Sequence, residues 1–319
     1  MKKWICALAA LSMLTVGSTA YAADSVKIMV ENKPIKTDAA PILNKGRVLV
    51  PIRVVSEALG ASVAWDQNTK TATISKWSEK VKLTVGENKA MVYGKMNDSE
   101  ALSLDVSIQN INNRVFVPLR FLSQFYGYNV EWKNNTVSIH SPLSAGQQAV
   151  LYNGDLITSR KLAMSLSNTK MHYEHTPLTT LHEHEDYSQK YLFPEGEALR
   201  FYKIEGNETI SFYEFKNDFP VVTWQAHIAD ETTESIQALL DNKLKDSKGS
   251  MPKMNKALLY YGTGFFGDSS WEESGQINGQ GELVITGYKK IGAGTIITDS
   301  GTIALKLPNE TRQETVSIP

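Results

Sequence analysis

One stretch of this chain occurs twice, and that duplication constrains the fold more than any other feature of the sequence. Asn44-Lys45-Gly46-Arg47-Val48-Leu49-Val50-Pro51-Ile52-Arg53 leads through Leu59-Gly60 to Val63 and Trp65. Sixty-seven residues later, Asn113-Arg114-Val115-Phe116-Val117-Pro118-Leu119-Arg120 leads through Tyr126-Gly127 to Val130 and Trp132. Arg, Pro, Arg, Gly, Val and Trp keep their order and internal spacing.

Each copy predicts a strand that hands over directly to a short helix. Pro51 and Pro118 follow β-type apolar runs and sit where a first helical residue tolerates a missing N–H. Ile52, Val55 and Leu59, and in the second copy Leu119, Leu122 and Tyr126, then fall on one helical stripe. Gly60 and Gly127 suit the left-handed residue that closes a helix. So short a helix is marginal by itself and must be held by packing. The segment after each glycine supplies a hairpin with one apolar face: Val63 and Trp65 against Ala72 and Ile74, and Val130 and Trp132 against Val137 and Ile139, with a turn two residues shorter in the second copy. Val26–Val30 and Val81–Val85 read as further strands. The recurring Arg47 with Arg53, and Arg114 with Arg120, admit a ligand clamp; their recurrence favours structural pairing that fixes strand to helix. Trp65 and Trp132 read as partly buried core residues.

The pattern G-R-x-L-V-P-[IL]-R, a short helix ending Leu-Gly, then V-x-W-D and a T-x-T-x-I strand, resembles the stalk domain named after the N-terminal domain of copper amine oxidases. The resemblance covers about residues 25–140. The second copy departs from it at Asn113, Gln124, Tyr126 and Lys133. It implies a small antiparallel sheet curled around a helix, found in tandem in exported proteins of Gram-positive bacteria, and nothing catalytic. Copper and the quinone cofactor of amine oxidases belong to a different domain, and this chain has no Asn-Tyr-Asp/Glu triplet from which to make the quinone.

Met1-Lys2-Lys3, the apolar run Trp4 to Val16 and Ala20-Tyr21-Ala22 read as an export signal over residues 1–22. The apolar run is shorter than the roughly 20 residues that span a bilayer, and no later stretch qualifies. The single cysteine, Cys6, lies inside this segment, so the mature chain is expected to have neither disulfides nor thiol chemistry. The formal net charge is −1, and −3 once Lys2 and Lys3 are removed, which gives no footprint for nucleic acid. The expected location is extracytoplasmic, secreted or held non-covalently at the envelope, with a wall polymer or another envelope protein as partner.

Composition and turn signals divide the remainder. The expected units are repeat 1 over residues 25–76, repeat 2 over 81–140, a Pro- and Gly-punctuated linker over 141–149, and a further domain over 150–319. That last part reads as α+β and mostly antiparallel. A helix is expected over Thr158–Leu166, strands over Lys190–Pro194, Ala198–Ile204, Thr209–Phe215 and Val221–Ile228, and a helix capped by Asp230 with Ile236, Leu239, Leu240 and Leu244 as its stripe. Strands are also expected over Lys256–Tyr261, Leu283–Lys289 and Thr302–Leu307.

Three features of this half bear on chemistry. His172, His175, His182 and His184 lie among acidic residues; Zn or Cu accepts imidazole with a nearby carboxylate, while the alternative is a solvated polar loop. Gly262-Thr263-Gly264-Phe265-Phe266-Gly267 matches a dinucleotide fingerprint but lacks the amphipathic helix that must follow, so it reads as an exposed Gly-aromatic loop. Such a loop would present Tyr260, Tyr261, Phe266 and Trp271 for stacking on sugar rings. The sequence therefore predicts a non-enzymatic envelope protein without a cofactor, in which a tandem stalk spaces or docks a C-terminal binding domain. The alternative is a metal-dependent protein or hydrolase built on residues 172–186.

Overall fold

The computed structural model describes residues 26–95, 98–169, 171–179, 187–230, 233–253 and 257–314; residues 1–22, expected from sequence to be an export signal, lie outside them. Sheets dominate, and nearly all their pairings are antiparallel.

The two copies form their strand–helix junctions as the periodicity requires. Strands Arg47–Pro51 and Arg114–Pro118 run straight into helices α1 (Ile52–Ala58) and α2 (Leu119–Phe125). Ile52, Val55, Leu59, Leu119, Leu122 and Tyr126 are all buried. Gly60 and Gly127 take φ of +76° and +86°, a region that costs any other residue a Cβ clash. Pro51 and Pro118 stand one residue earlier than expected, as extended residues preceding the helix.

The copies do not, however, make a sheet each. Arg47–Pro51 pairs antiparallel with Arg114–Pro118, with Val50 opposite Val117, Pro51 opposite Phe116 and Leu49 opposite Pro118. Because 50 and 117 are equivalent positions, this ladder is the pseudo-twofold axis of the duplication. The first strand, Lys27–Val30, lies parallel to Thr136–His140 of the second copy. The hairpin Ser62–Asp66/Thr71–Lys76 is continued by Glu79–Thr84, Lys89–Lys95 and Asp98–Ser103 into a five-stranded sheet. One apolar core, including Val50, Val55, Ile74, Val117, Leu122 and Ile139, fills the space between these sheets. The apolar stripes dictate which faces are buried; burying both against one another satisfies them in one core instead of two marginal ones.

Residues 141–149 are structured. Ser144 caps helix α3 (Ala145–Asn153): its side chain accepts from Gln147 N, and Gln147 returns a bond to the Ser144 backbone, so Ser-x-x-Gln is a capping box where a linker was expected. Helix α4 (Leu156–Ser167) follows, capped by Asp155. Both pack against a ten-stranded sheet that meanders antiparallel except for a short parallel strand, His172–Tyr173. Strands Gln189–Pro194, Arg200–Glu205, Thr209–Lys216 and Phe219–Ile228 fall where the pattern places them. Helix α5 is shorter than expected, Ser235–Leu240, with Glu234 as its cap; Leu244 begins a strand instead of ending the helical stripe. The last strand is Thr295–Gly301, and 302–307 is irregular.

The Gly-aromatic segment is a strand as well. Leu258–Phe266 and Ser269–Ile277 form a nine-pair hairpin. Gly264 is a glycine because Trp271 lies across it, where a Cβ would come 2.7 Å from the indole Nε1; a Cβ at Gly262 would meet the Tyr260 hydroxyl first and then the Trp271 ring. The sequence signal for a loop is here the clearance for a ring.

Candidate functional site: two related grooves and a buried junction

The pseudo-twofold generates two clefts on the N-terminal module, of about 580 and 430 Å³. In the first, Pro51, Ile52 and Arg53 come from the strand–helix junction, Val63, Trp65 and Ala72 from the following hairpin, and Asn110, Asn113, Arg114 and Val115 from the opposite copy. In the second, Pro118, Leu119, Arg120, Val130, Trp132 and Val137 meet Leu43, Gly46, Arg47 and Val48. Every residue of the second cleft has its duplicate in the first. Each cleft therefore joins the helix arginine and tryptophan of one copy to the strand arginine of the other.

The two arginines of each copy have different fates. Arg47 Nε donates to Asp105 Oδ2 and Arg114 Nε to Asp38 Oδ2, both at 2.6 Å. Asp38 and Asp105 are themselves 67 residues apart, so the bridge is duplicated and swapped across copies. Arg53 and Arg120 are exposed and have no hydrogen bond or ion pair among the described residues. Structural pairing thus accounts for the strand arginines and not for the helix ones. Trp132 is 46% exposed, a rim residue more than a core one, and Trp65 is half-buried with Nε1 donating to Gln67 Oε1 at 2.8 Å.

A second cluster lies where the module meets the C-terminal domain. Lys76, only 6% exposed, donates from Nζ to Leu59 O and to the Tyr128 hydroxyl, both at 2.7 Å. Its ammonium lies 4.2 Å from the Trp77 ring, 4.7 Å from Tyr128 and 5.2 Å from Phe219 of the C-terminal domain. Burial pushes the Lys76 ammonium down to about 8, with the charge of Glu79 opposing. Trp77 occupies φ +55° at the hairpin turn, a position a bulky residue takes only when its surroundings hold it there. It stacks on His172 at 4.1 Å, and His172 Nδ1 lies 3.1 Å from Glu79 Oε1. Ser78 N donates to Tyr173 O at 2.7 Å.

Of the four histidines singled out by sequence, the two that are described, His172 and His175, have different surroundings. His172 is buried in this junction. His175, its Nδ1 3.1 Å from Thr176 O, lines a cleft of about 770 Å³ on the large sheet. His182 and His184 lie outside the described residues. Among the described residues no group of three His, Cys, Asp or Glu could hold a metal ion. In the large cleft Lys216 pairs with Glu174 at 2.6 Å and with Glu214 at 3.3 Å, and Arg200 with Glu197 at 2.8 Å, while Lys253 lines it as a further cation.

The four aromatic residues do not share a face. Tyr260 is buried and its hydroxyl donates to Glu273, while the next residue, Tyr261, points to the other side of the strand and donates to Glu272 at 2.6 Å. Burial first, and then each carboxylate partner, pushes the phenols up out of their ordinary range. Trp271 is half-buried over Gly262 and Gly264, and the Phe266 side chain lies outside the described residues. The Asp38/Asp105 recurrence was the legible signal for the cross-copy bridges that arginine spacing alone did not reveal.

A family model described as "Copper amine oxidase N-terminal domain" matches residues 29–141, spanning both copies as a single domain, and no family model matches the C-terminal part. A "Protease inhibitor" from Brevibacillus choshinensis is 28% identical over 137 residues, 42% of this chain and 40% of that protein. The chain thus spans about two fifths of that relative. Among the described residues no helix is long and apolar enough to cross a membrane. Residues 29–141 thus match the copper amine oxidase N-terminal domain, and within them the two copies fold around one shared core.

Proposed function

We propose that this is an exported, non-enzymatic envelope protein whose N-terminal module docks it at the cell surface and holds the C-terminal domain in a fixed orientation. The observation that carries the reading is the continuity of the core. Phe219 and Val221 of the large sheet belong to the same apolar cluster as the module, beside the Lys76, Trp77 and His172 contacts. A module that spaced its partner on a loose tether would leave those side chains in water. The finer description is an α+β domain carried on two sheet-plus-helix repeats, with residues 1–22 as its export signal.

The test is fractionation of the producing cells, with mass spectrometry of the mature N-terminus. The expected result is a chain beginning near Ala23 in the wall or medium fraction. An unprocessed chain confined to the cytoplasm overturns the reading.

A second reading, protease inhibition, rests on the name of the Brevibacillus relative alone. Incubating the protein with subtilisin and with trypsin decides it: absence of slowed substrate cleavage at stoichiometric excess removes it.

A further inference from the structure

We infer that the two grooves of the module are paired subsites for one carboxylated polysaccharide, a polymer of ring sugars bearing acid groups. The inference rests on the envelope reading and gives that docking surface its place and its ligand.

Three observations carry it. The first is the fate of the helix arginines. Duplication kept four arginines, and the fold pairs only the two on the strands, Arg47 and Arg114, with carboxylates of the chain itself. Arg53 and Arg120 remain exposed, each lining its groove, with no partner among the described residues. A guanidinium presents a planar fork that matches a carboxylate in two parallel bonds, which a point charge such as ammonium does not.

The second is what stands beside each fork. Half-buried Trp65 lines the first groove with Ile52, and Trp132, nearly half exposed, lines the second with Leu119; the first groove is lined by Asp38, the partner of Arg114, and by Gln67 as well. A flat aromatic surface next to an anion fork suits a ring with one apolar C–H face and a carboxylate at its edge. An extended acidic peptide supplies the carboxylate without the ring. Both volumes fall within the roughly 300–1,000 Å³ of ordinary ligand sites.

The third is the duplication itself. Two copies of one constellation on one rigid core suit a ligand that repeats, because the second contact then forms at high effective concentration. The mature chain carries net negative charge, so any affinity for a polyanion has to come from these local forks and not from the field of the whole protein.

The test uses the full mature chain and polygalacturonate, with neutral dextran and poly-L-glutamate as comparison polymers, by isothermal calorimetry. Arg53→Gln and Arg120→Gln are made singly and together; both positions are exposed, and circular dichroism checks that the fold is kept. Polygalacturonate should bind, each single variant should weaken binding about tenfold, and the double variant should lose it, as expected for removing a charged hydrogen bond. Dextran should not bind, and poly-L-glutamate should bind at least about tenfold more weakly. Failure of polygalacturonate to bind, unchanged affinity in the double variant, or equal binding of poly-L-glutamate would each overturn the proposal. Sedimentation with purified cell walls separates it from the envelope reading. Walls that retain the double variant as well as the parent leave envelope docking standing and remove the grooves from it. Walls that retain neither, while polygalacturonate binds through the arginines, do the reverse.

Discussion

The module and the C-terminal domain use the same bond to opposite ends. Arg114 meets Asp38 at 2.6 Å and Arg160 meets Glu310 at 2.6 Å, but the first pair is more than two fifths exposed on both sides and the second is fully buried. In the module the ion pairs decorate a core that apolar stripes already specify. In the C-terminal domain the ion pair is itself interior. Arg160 also donates to Glu197 O and Leu305 O, and Glu310 accepts from Gly196 N and Leu307 N, so one guanidinium ties helix α4, a sheet turn and the C-terminal segment together. Although burial pushes the Glu310 carboxyl up, the Arg160 bond and these backbone donors pull it below its ordinary value. Bond length alone does not rank the two pairs; the solvent each has given up does.

The largest effect should come from breaking the buried pair. Arg160→Ala leaves the buried Glu310 carboxylate without its counter-charge, removes the side-chain donors to Glu197 O and Leu305 O, and is expected to cost about 3–5 kcal/mol in urea unfolding. A loss below 1 kcal/mol would place the pair with the exposed ones.

Next is Lys76, the charge buried at the junction of the two regions. Its folded pKa, near 8, lies below its unfolded value near 10.4, so between them the unfolded chain holds a proton that the native chain does not. Stability from this group must therefore rise with pH across about 8 to 10, by up to about 3 kcal/mol. Above that window the buried tyrosines, whose phenols are pushed up by burial, reverse the trend. Lys76→Met should flatten the rise when urea midpoints are compared from pH 7 to 10.

Gly60 sharpens the comparison from the backbone side. A methyl group there would meet only the Lys76 Cε at 3.9 Å, so Gly60→Ala isolates the cost of φ +76° at about 1–2 kcal/mol. A midpoint unchanged in thermal unfolding would show that the helix end can move aside.

The exposed bridges should give the smallest signal. A double-mutant cycle on Arg114 and Asp38 is expected to return about 0.2–1 kcal/mol, and less in high salt. A value near 3 kcal/mol would erase the distinction between the two regions.

What the sequence showed follows the same division. Periodicity placed α1, α2 and their buried faces, because which side of a helix is apolar is local information. It was silent on pairing across copies: an apolar strand face states that it must be covered, not by which copy. Arg160 and Glu310 are 150 residues apart and neither lies in a pattern, so nothing local announced them. In the grooves, the arginines and tryptophans were visible as repeats, but their separation into paired and unpaired became evident only once Asp38 and Asp105 crossed between copies. The misread segments had competing signals: Pro142 and Gly146 masked the Ser144 cap, and the glycines under Trp271 imitated a loop.

The parallel pairing of Lys27–Val30 with Thr136–His140 sets how the module bears load. Its first and last strands lie side by side and point the same way, through a four-residue register from Lys27 opposite Thr136 to Val30 opposite Ile139. Tension applied at the two ends of the module therefore pulls these strands past each other along their length. Their hydrogen bonds are loaded together, in shear, and do not open one after another as in a zipper. The line between the module's own termini is thus closed by a clasp made from its two ends.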